Sequence, residues 1–345
     1  MRYAQLIMAK CNIIPIFIPF YGCPVKCIYC EQSRITGVSG YLSEECVAQI
    51  IRCALEKQSD RPVEVAFYGG TFTMLSVGEQ TALLSGVAPF LREGSVQSIR
   101  LSTRPEKLDS EDFLRLQSQG VRTIEFGIQS VDRDVLDLAK RGIEVCEMER
   151  VVHLAKKMGM SVGLQQMIGL PGDSFEKDMK TARWILDRGD FARIYPTVVF
   201  EGTELYTMYR EKIYQPLLLK DAIDRVARLL DLYDEADIPV IRVGLPHMER
   251  HQYVAGPYHD NFREFAETHR LLRRLKDRYA SLVSVEGSPK MINRLAGPFG
   301  YGRKALEKIY GPIVFRYKDV GESTLIIQGE EKDIHALDRN GALRL

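Results

Sequence analysis

Gly22-Cys23-Pro24-Val25-Lys26-Cys27-Ile28-Tyr29-Cys30 directly follows residues 13–20, a short apolar run that reads as a β-strand. Its C-x3-C-x2-C spacing puts three thiols on one short loop at the end of a strand. Cysteine thiolates are the usual ligands of iron–sulfur clusters, and three of them can hold three irons of a cubane. The fourth iron is then left without a protein ligand, which makes it a place for chemistry rather than for electron storage alone. Zinc is the rival reading. Structural zinc sites close with four ligands, usually from two C-x2-C or H-x3-5-H pairs, and no second pair follows here. Three cysteines sharing a loop by chance is the plain alternative.

Beyond the loop, strand and helix signals alternate. Residues 63–68, 98–103, 123–129, 161–168 and 192–200 are short and strand-like, whereas 43–57, 110–118, 132–141, 148–158 and 175–188 carry helical periodicity. Ser76 and Glu79 form a capping box at the head of a helix running to Leu91, and Gly120 can cap the helix ending near 118. Together with 13–20 this gives six strand–helix units, the pattern of an α/β chain whose parallel sheet forms a full or partial TIM-like (β/α) barrel. In such barrels functional groups gather on the loops after the strands. The cysteine loop follows the first strand and Tyr68-Gly69-Gly70-Thr71-Phe72-Thr73 the second. Ser102-Thr103-Arg104-Pro105 ends the third, Gly127-Ile128-Gln129-Ser130 the fourth, and Gln165-Gln166-Met167-Ile168-Gly169-Leu170-Pro171-Gly172 the fifth. Tyr195-Pro196 interrupts the sixth. A Gly-Gly pair is commonly just a turn, but so many unusual segments on one rim argue for one shared site.

A chain of 345 residues, 45% hydrophobic and 27% charged, is expected to be a soluble globular protein of one large domain or two ordinary ones. No apolar stretch approaches the ~18 residues of a membrane span, and the start Met1-Arg2-Tyr3-Ala4 has no signal-peptide plan. A cytoplasmic location, away from any membrane, follows as an expectation and suits free thiols. Cys11, Cys46, Cys53 and Cys146 are scattered; Cys46 and Cys53 lie seven apart on a helical pattern and read as small core residues.

The triplet with an aromatic residue, Tyr29, before its last cysteine resembles the radical S-adenosylmethionine family. In that family the open iron of a 4Fe-4S cluster binds the amino and carboxylate groups of S-adenosylmethionine. One electron then cleaves the sulfonium and releases a 5′-deoxyadenosyl radical, which abstracts hydrogen from substrate. The resemblance implies Cys23, Cys27 and Cys30 as cluster ligands. Gly69 and Gly70, with Thr71 beside them, match the family's GG motif, where bare backbone meets the methionine amino group because glycine has no Cβ to clash. Ser102 and Arg104 stand where related enzymes contact the methionyl or ribose part. The barrel also resembles oxygen-independent coproporphyrinogen oxidase. There a Gln in a G-[IV]-Q motif binds ribose and an Arg twelve residues later binds the carboxylate, as Gln129 and Arg141 would here. Gln165 replaces an acidic ribose contact, Gly169 opens the turn that meets the adenine, and Tyr29 would contact the adenine from the other side.

A narrower likeness covers residues 10–270. Phe67–Thr73, Ser102–Pro105, Glu125–Val131, Ile194–Thr197, Ile241–Leu245 and Ala255–His259 resemble the radical domain of the Elongator catalytic subunit, which works on the wobble uridine of tRNA. The chain ends at Leu345 without an acetyl-CoA-type glycine loop, so it reads as a short relative lacking the acetyltransferase domain. The expected division is a barrel over 1–245, a helical connection over 246–280 and a small α+β domain over 281–345. In that last part Gly297-Pro298-Phe299-Gly300 precedes helical 303–310, strand-like 313–317 and 323–328, and helical 330–337. This order resembles a KH-like module, whose loop clamps a nucleic-acid backbone, although Pro298 and Phe299 replace the usual basic pair. Residues 241–345 hold 18 Lys plus Arg against 13 acids. His251 and His259 are candidate substrate-side acids or bases.

The resemblance therefore implies a radical enzyme acting on tRNA or another RNA, fed by an electron donor of the flavodoxin or ferredoxin type. A small-molecule substrate and a cluster-bearing protein that never turns over are the alternatives.

Overall fold

A computed structural model describes residues 11–33, 37, 42–56 and 61–331. The chain divides into two compact units: residues up to Leu217 together with Tyr233–Tyr258, and Leu218–Leu232 together with residues from His259 on.

The first unit is built on β1 (Asn12–Phe17), β2 (Val63–Tyr68), β3 (Ser98–Thr103), β4 (Val121–Gln129), β5 (Ser161–Ile168), β6 (Phe191–Pro196) and β7 (Val240–Val243). They pair in chain order, each parallel to the next, so β1 and β7 are open edges. The sheet is an α/β half-barrel, a partial rather than a full TIM-like barrel. Its inner strands β2 to β6 are largely buried on both faces, as parallel strands under crossover helices are, while the edge strand β1 alternates buried and exposed residues; Val63, Val65, Phe67, Ile99, Leu101, Ile124 and Phe126 form much of that core. The inward face is polar low in the barrel. Arg100 bridges Glu64 at 2.6 Å and Glu125 at 2.7 Å, and Arg193 pairs with Glu125 and donates to Tyr68 Oη at 2.7 Å. Two carboxylates meet two guanidiniums, so the buried charges cancel.

Element positions follow the sequence pattern closely, with instructive departures. Ser76 and Glu79 make the reciprocal capping box, but the helix stops at Ser85 and a second one, Ala88–Glu93, follows. Pro89 explains the break, since it has no N–H to continue a helix and is at home in a first turn. The first strand ends at Phe17, because Phe20 takes φ 61 and belongs to the loop. The sixth ends at Pro196; Val199 instead pairs antiparallel with Ala255. A seventh strand, Val240–Val243, was not anticipated; at four residues it gives little signal. Cys46 and Cys53 are exposed rather than core, because the helix Glu44–Leu55 buries Val47 and Ile51 instead.

The second unit contains the helix Phe262–Arg278, which runs directly into β8 (Tyr279–Gly287). Helices Pro289–Ala296 and Tyr301–Tyr310 follow, then β9 (Val314–Tyr317) and β10 (Leu325–Glu331). β8 is the central strand, parallel to β9 and antiparallel to β10. Leu271, Leu275, Leu282, Val285, Ile292, Leu295, Leu306 and Leu325 form its own core. Glu330 and Glu331 are strand residues, not the start of a helix, and 332–337 lie outside the described residues. No helix among the described residues is long and apolar enough to cross a membrane.

Candidate functional site

The cysteine loop leaves β1 through left-handed backbone at Phe20 and Gly22, φ 61 and 67. A Cβ on Gly22 would stand 2.3 Å from the Thr71 carbonyl oxygen, so only glycine lets the loop cross the segment after β2 this closely. Thr71 N donates to the Tyr21 carbonyl at 2.6 Å, and Thr71 Oγ1 lies 3.5 Å from Cys23 Sγ. Gln32 ties the same two segments together: its Oε1 accepts from Phe20 N at 2.6 Å and Gly70 N at 2.8 Å. At Gly70 a Cβ would meet the Tyr21 carbonyl oxygen at 2.4 Å.

The facing wall is cationic. Arg141 follows the short helix Arg133–Leu138, and a left-handed Lys140 (φ 50) turns it inward, so it is buried rather than an exposed helix-end cation. Arg141 Nη1 donates to Cys27 Sγ at 3.2 Å and Nη2 to the Gly127 carbonyl, while Nε is buried without a partner. Arg104 reaches the same sulfur at 3.9 Å, pairs with Glu106 and donates to the Arg141 carbonyl. Beside them the β4–β5 register slips between Gly127 and Gln129, and Gln129 takes φ 68. Such a bulge re-aims a side chain, and Gln129 Oε1 accepts from Gln165 Nε2 at 3.1 Å. A Cβ on Gly127 would stand 2.9 Å from Gln129 Nε2.

These groups surround a cavity of about 230 Å³. Cys23, Cys27, Cys30, Tyr29, Gly69, Gly70, Thr71, Ser102, Arg104, Gln129, Arg141 and Gln165 all line it. Gly169 does not; it borders a neighbouring cavity, with its N–H held by Asp173 Oδ2 at 2.7 Å and its carbonyl by Tyr214 Oη at 2.7 Å. The adjoining Leu170 does reach toward the site, packing in one cluster with Tyr29 and Met167. His251 is exposed in the turn Arg250–Gln252 and is absent from the lining. His259 belongs to the second unit, where its Nδ1 accepts from Asn261 N at 2.9 Å and its ring packs edge-on against Phe265. Sequence reading missed Gln32, Glu106 and an apolar side of the cavity made by Val198, Phe200 and Leu245. Gln32 sits just past Cys30, but nothing in its spacing announces a clamp; the outer wall comes from chain beyond β6 and β7.

The three thiols differ electrostatically. Burial opposes the Cys27 thiolate, yet the Arg141 and Arg104 guanidiniums outweigh it and hold this thiol below its ordinary range. Burial raises Cys23 against the Thr71 hydrogen bond. Burial and then the nearby Cys27 and Cys23 charges push Cys30 up to about 12. Cys27 is thus the readiest of the three to act as a thiolate, whereas a metal would have to displace the protons of Cys23 and Cys30 on binding. Among the described residues, no three His, Cys, Asp or Glu side chains converge on a single-ion position. The Arg141 guanidinium and the Gly69–Gly70 backbone on the cavity wall fit an anionic and an ammonium end of a second ligand.

The family model described as the Radical SAM superfamily matches residues 17–185, and the Radical SAM C-terminal domain matches 189–274. The tRNA uridine(34) acetyltransferase of Dehalococcoides mccartyi is 29% identical over 231 residues, 56% of this chain and 50% of that protein. Human Elongator complex protein 3 is 30% identical over 191 residues, covering 52% of this chain and 32% of its own length. The chain thus spans about a third to a half of these curated relatives. Among solved structures, an N-terminally truncated archaeal Elp3 of Methanocaldococcus infernus superposes with a TM-score of 0.60. At 22% identity over 77% of this chain and 63% of that one, the likeness speaks for the fold. The paired domain matches, running without a gap of consequence over the half-barrel that carries the cysteine cavity, place this chain in the radical SAM superfamily of enzymes, which use a 4Fe-4S cluster and S-adenosylmethionine.

Proposed function

We propose that this chain modifies a nucleoside of tRNA by hydrogen-atom abstraction. The observation that carries the reading is the composition of one cavity, in which the cysteine triplet, the Gly70 backbone, Arg141 and Gln129 face a common space. When bound there, the cluster and S-adenosylmethionine would supply a 5′-deoxyadenosyl radical. The chain's own residues hold and orient. Cys23, Cys27 and Cys30 would each take one iron. Arg141, whose guanidinium lines the cavity, would pair with the methionyl carboxylate, and the Gly69–Gly70 backbone would meet the amino group. Gln129 and Gln165, already hydrogen-bonded to each other, present amides to the ribose hydroxyls. Tyr29 and Met167 give the adenine an apolar bed, while Val198, Phe200 and Leu245 on the far side keep water from the reacting carbon. An external one-electron donor, of the flavodoxin or ferredoxin kind, completes the scheme.

The tRNA substrate is supported by sequence likeness to proteins named tRNA uridine(34) acetyltransferase, 27% to 31% identical over 131 to 231 residues. Mass spectrometry of tRNA nucleosides from cells with and without the gene tests it. Loss of one modified nucleoside on deletion is the expected result. An unchanged profile would overturn the RNA reading in favour of a small-molecule substrate.

A further inference from the structure

In the second unit, helices Pro289–Ala296 and Tyr301–Tyr310 are joined by Gly297-Pro298-Phe299-Gly300. This joint is strained. Phe299 sits at φ 54, ψ 24, left-handed backbone that a bulky residue avoids, between glycines at φ 69 and 72. Phe299 is also 76% exposed, more than any other large hydrophobic side chain among the described residues. Strain and exposure both run against stability, yet together they hold one aromatic ring out in water. His259 steadies it edge-on, with ring centroids 6.0 Å apart, and is itself braced by Phe265 at 4.9 Å.

Beside the ring lies a cleft of about 560 Å³, whose walls include Asn261, Asn293 and a balanced set of charges, Arg263 and Arg294 against Glu264 and Glu267. Charge along the joint, rather than within the cleft, selects its occupant. From Pro289 to Tyr310 the chain carries five cations, Lys290, Arg294, Arg303, Lys304 and Lys308, against the single acid Glu307. Lys290 is taken up by Glu322, and Arg303 by Glu307 and the Phe315 ring. Arg294 and Lys304 are exposed at the two ends of the joint, and the Lys304 stem would pass 3.8 Å from a Cβ on Gly300. An exposed ring between cations that have no ion-pair partner among the described residues is complementary to a base flanked by phosphates, not to a neutral apolar protein surface.

We propose that this joint is a stacking platform for an unpaired nucleotide of RNA. Phe299 takes the base on its ring, Asn293 and Glu264 meet the base edge, and Arg294 and Lys304 take the flanking phosphates. Stacking on an aromatic ring tolerates every base, so the platform grips single strands without reading sequence. It differs from a turn that clamps backbone through basic residues of its own, because the inner residues here are Pro298 and Phe299. The inference rests on the RNA-directed reading above for the nature of the polymer.

The test is fluorescence anisotropy of the full chain with a labelled single-stranded RNA 12-mer across a salt series. Wild-type binding is expected to weaken with salt through phosphate contacts. Phe299→Ala is expected to lower affinity roughly tenfold while keeping the salt slope, and Phe299→Trp to retain affinity. Arg294→Glu with Lys304→Glu is expected to flatten the slope. Unaltered affinity in Phe299→Ala, or absence of binding at low salt as expected if a protein docks here, would overturn the platform. Deletion-strain nucleosides decide the other proposal separately: a lost modification with Phe299-independent binding sinks only the platform. An unchanged profile with Phe299-dependent binding sinks only the assigned substrate.

Discussion

Gln32 Oε1 accepts the backbone N–H of Gly70 at 2.8 Å while also accepting that of Phe20 at 2.6 Å, so one side chain locks the loop after β1 to the loop after β2. The cysteines and the glycine backbone are thereby held at one mutual distance before any cofactor arrives. Replacing Gln32 by Leu strands two donors at once, at about 1–3 kcal/mol for each that stays buried. The expected outcome is a lower melting temperature together with reduced iron uptake on anaerobic reconstitution. Normal iron content in Gln32→Leu would remove the clamp from the account.

Cys23→Ala, Cys27→Ala and Cys30→Ala are each expected to abolish S-adenosylmethionine cleavage by the reconstituted, reduced enzyme. Cys46→Ser, Cys53→Ser and Cys146→Ser, all at exposed positions, are expected to leave cleavage unchanged. Iron per chain and 5′-deoxyadenosine yield are the readouts.

In metal-free protein Arg141→Ala removes the nearest cation from Cys27. The thiolate loses its main support, so the Cys27 thiol rises. Alkylation at neutral pH, followed by peptide mass spectrometry at Cys27, should slow. A rate equal to that of the parent protein would show that the guanidinium does not govern this thiol.

Gly127→Ala puts a methyl 2.9 Å from Gln129 Nε2. The bulged Gln129 must swing away, and the expected result is weaker S-adenosylmethionine binding with the fold retained, measured by equilibrium dialysis beside circular dichroism. A Gly70→Ala change is harsher, because it meets carbonyl oxygen at 2.4 Å on backbone at φ 61.

Glu125 links Arg100 to Arg193 in the barrel interior. Burial alone would raise its carboxyl, but the two guanidiniums outweigh that and hold it below the ordinary 4.5. A depressed carboxylate contributes stability that is present above pH 4.5 and lost as pH falls through the lower folded value. Melting temperature should therefore decline with acidification below that point, and Glu125→Gln should blunt this dependence. The variant should also be less stable at neutral pH by about 3–5 kcal/mol, since two buried cations lose their shared anion.

Much of this architecture is legible in the sequence for a physical reason. A parallel strand buried on both faces is short and rich in β-branched and aromatic residues, so β2 and β5 stand where their apolar residues do, whereas β3 alternates Ile99 and Leu101 with polar neighbours. The rim loops announce themselves because cysteine pairs, paired glycines and Arg-Pro have few structural uses at strand ends. Arg141 is less transparent: its sequence context is that of a solvated helix end, and only the left-handed Lys140 brings it inside. Gln32, Glu106 and the Glu64–Arg100–Glu125–Arg193 network stay hidden because each depends on a partner distant in sequence. No local spacing encodes a carboxylate on β4 meeting an arginine on β6. Phe299 is the opposite case, a residue whose oddity in the turn is visible at once but whose exposure is not.

The order of the strands sets a timetable. The cysteines emerge from synthesis with β1, yet Arg104, Gln129, Arg141, Gln165 and Tyr195 arrive only with β3 to β6. A nascent chain that stops short of Arg141 has the thiols without the guanidinium that lowers Cys27, and one that stops before β6 lacks part of the cavity lining. A pocket drawn from β1 to β6 is complete only once those strands are paired, so the site is a property of the whole sheet and not of the cysteine loop alone.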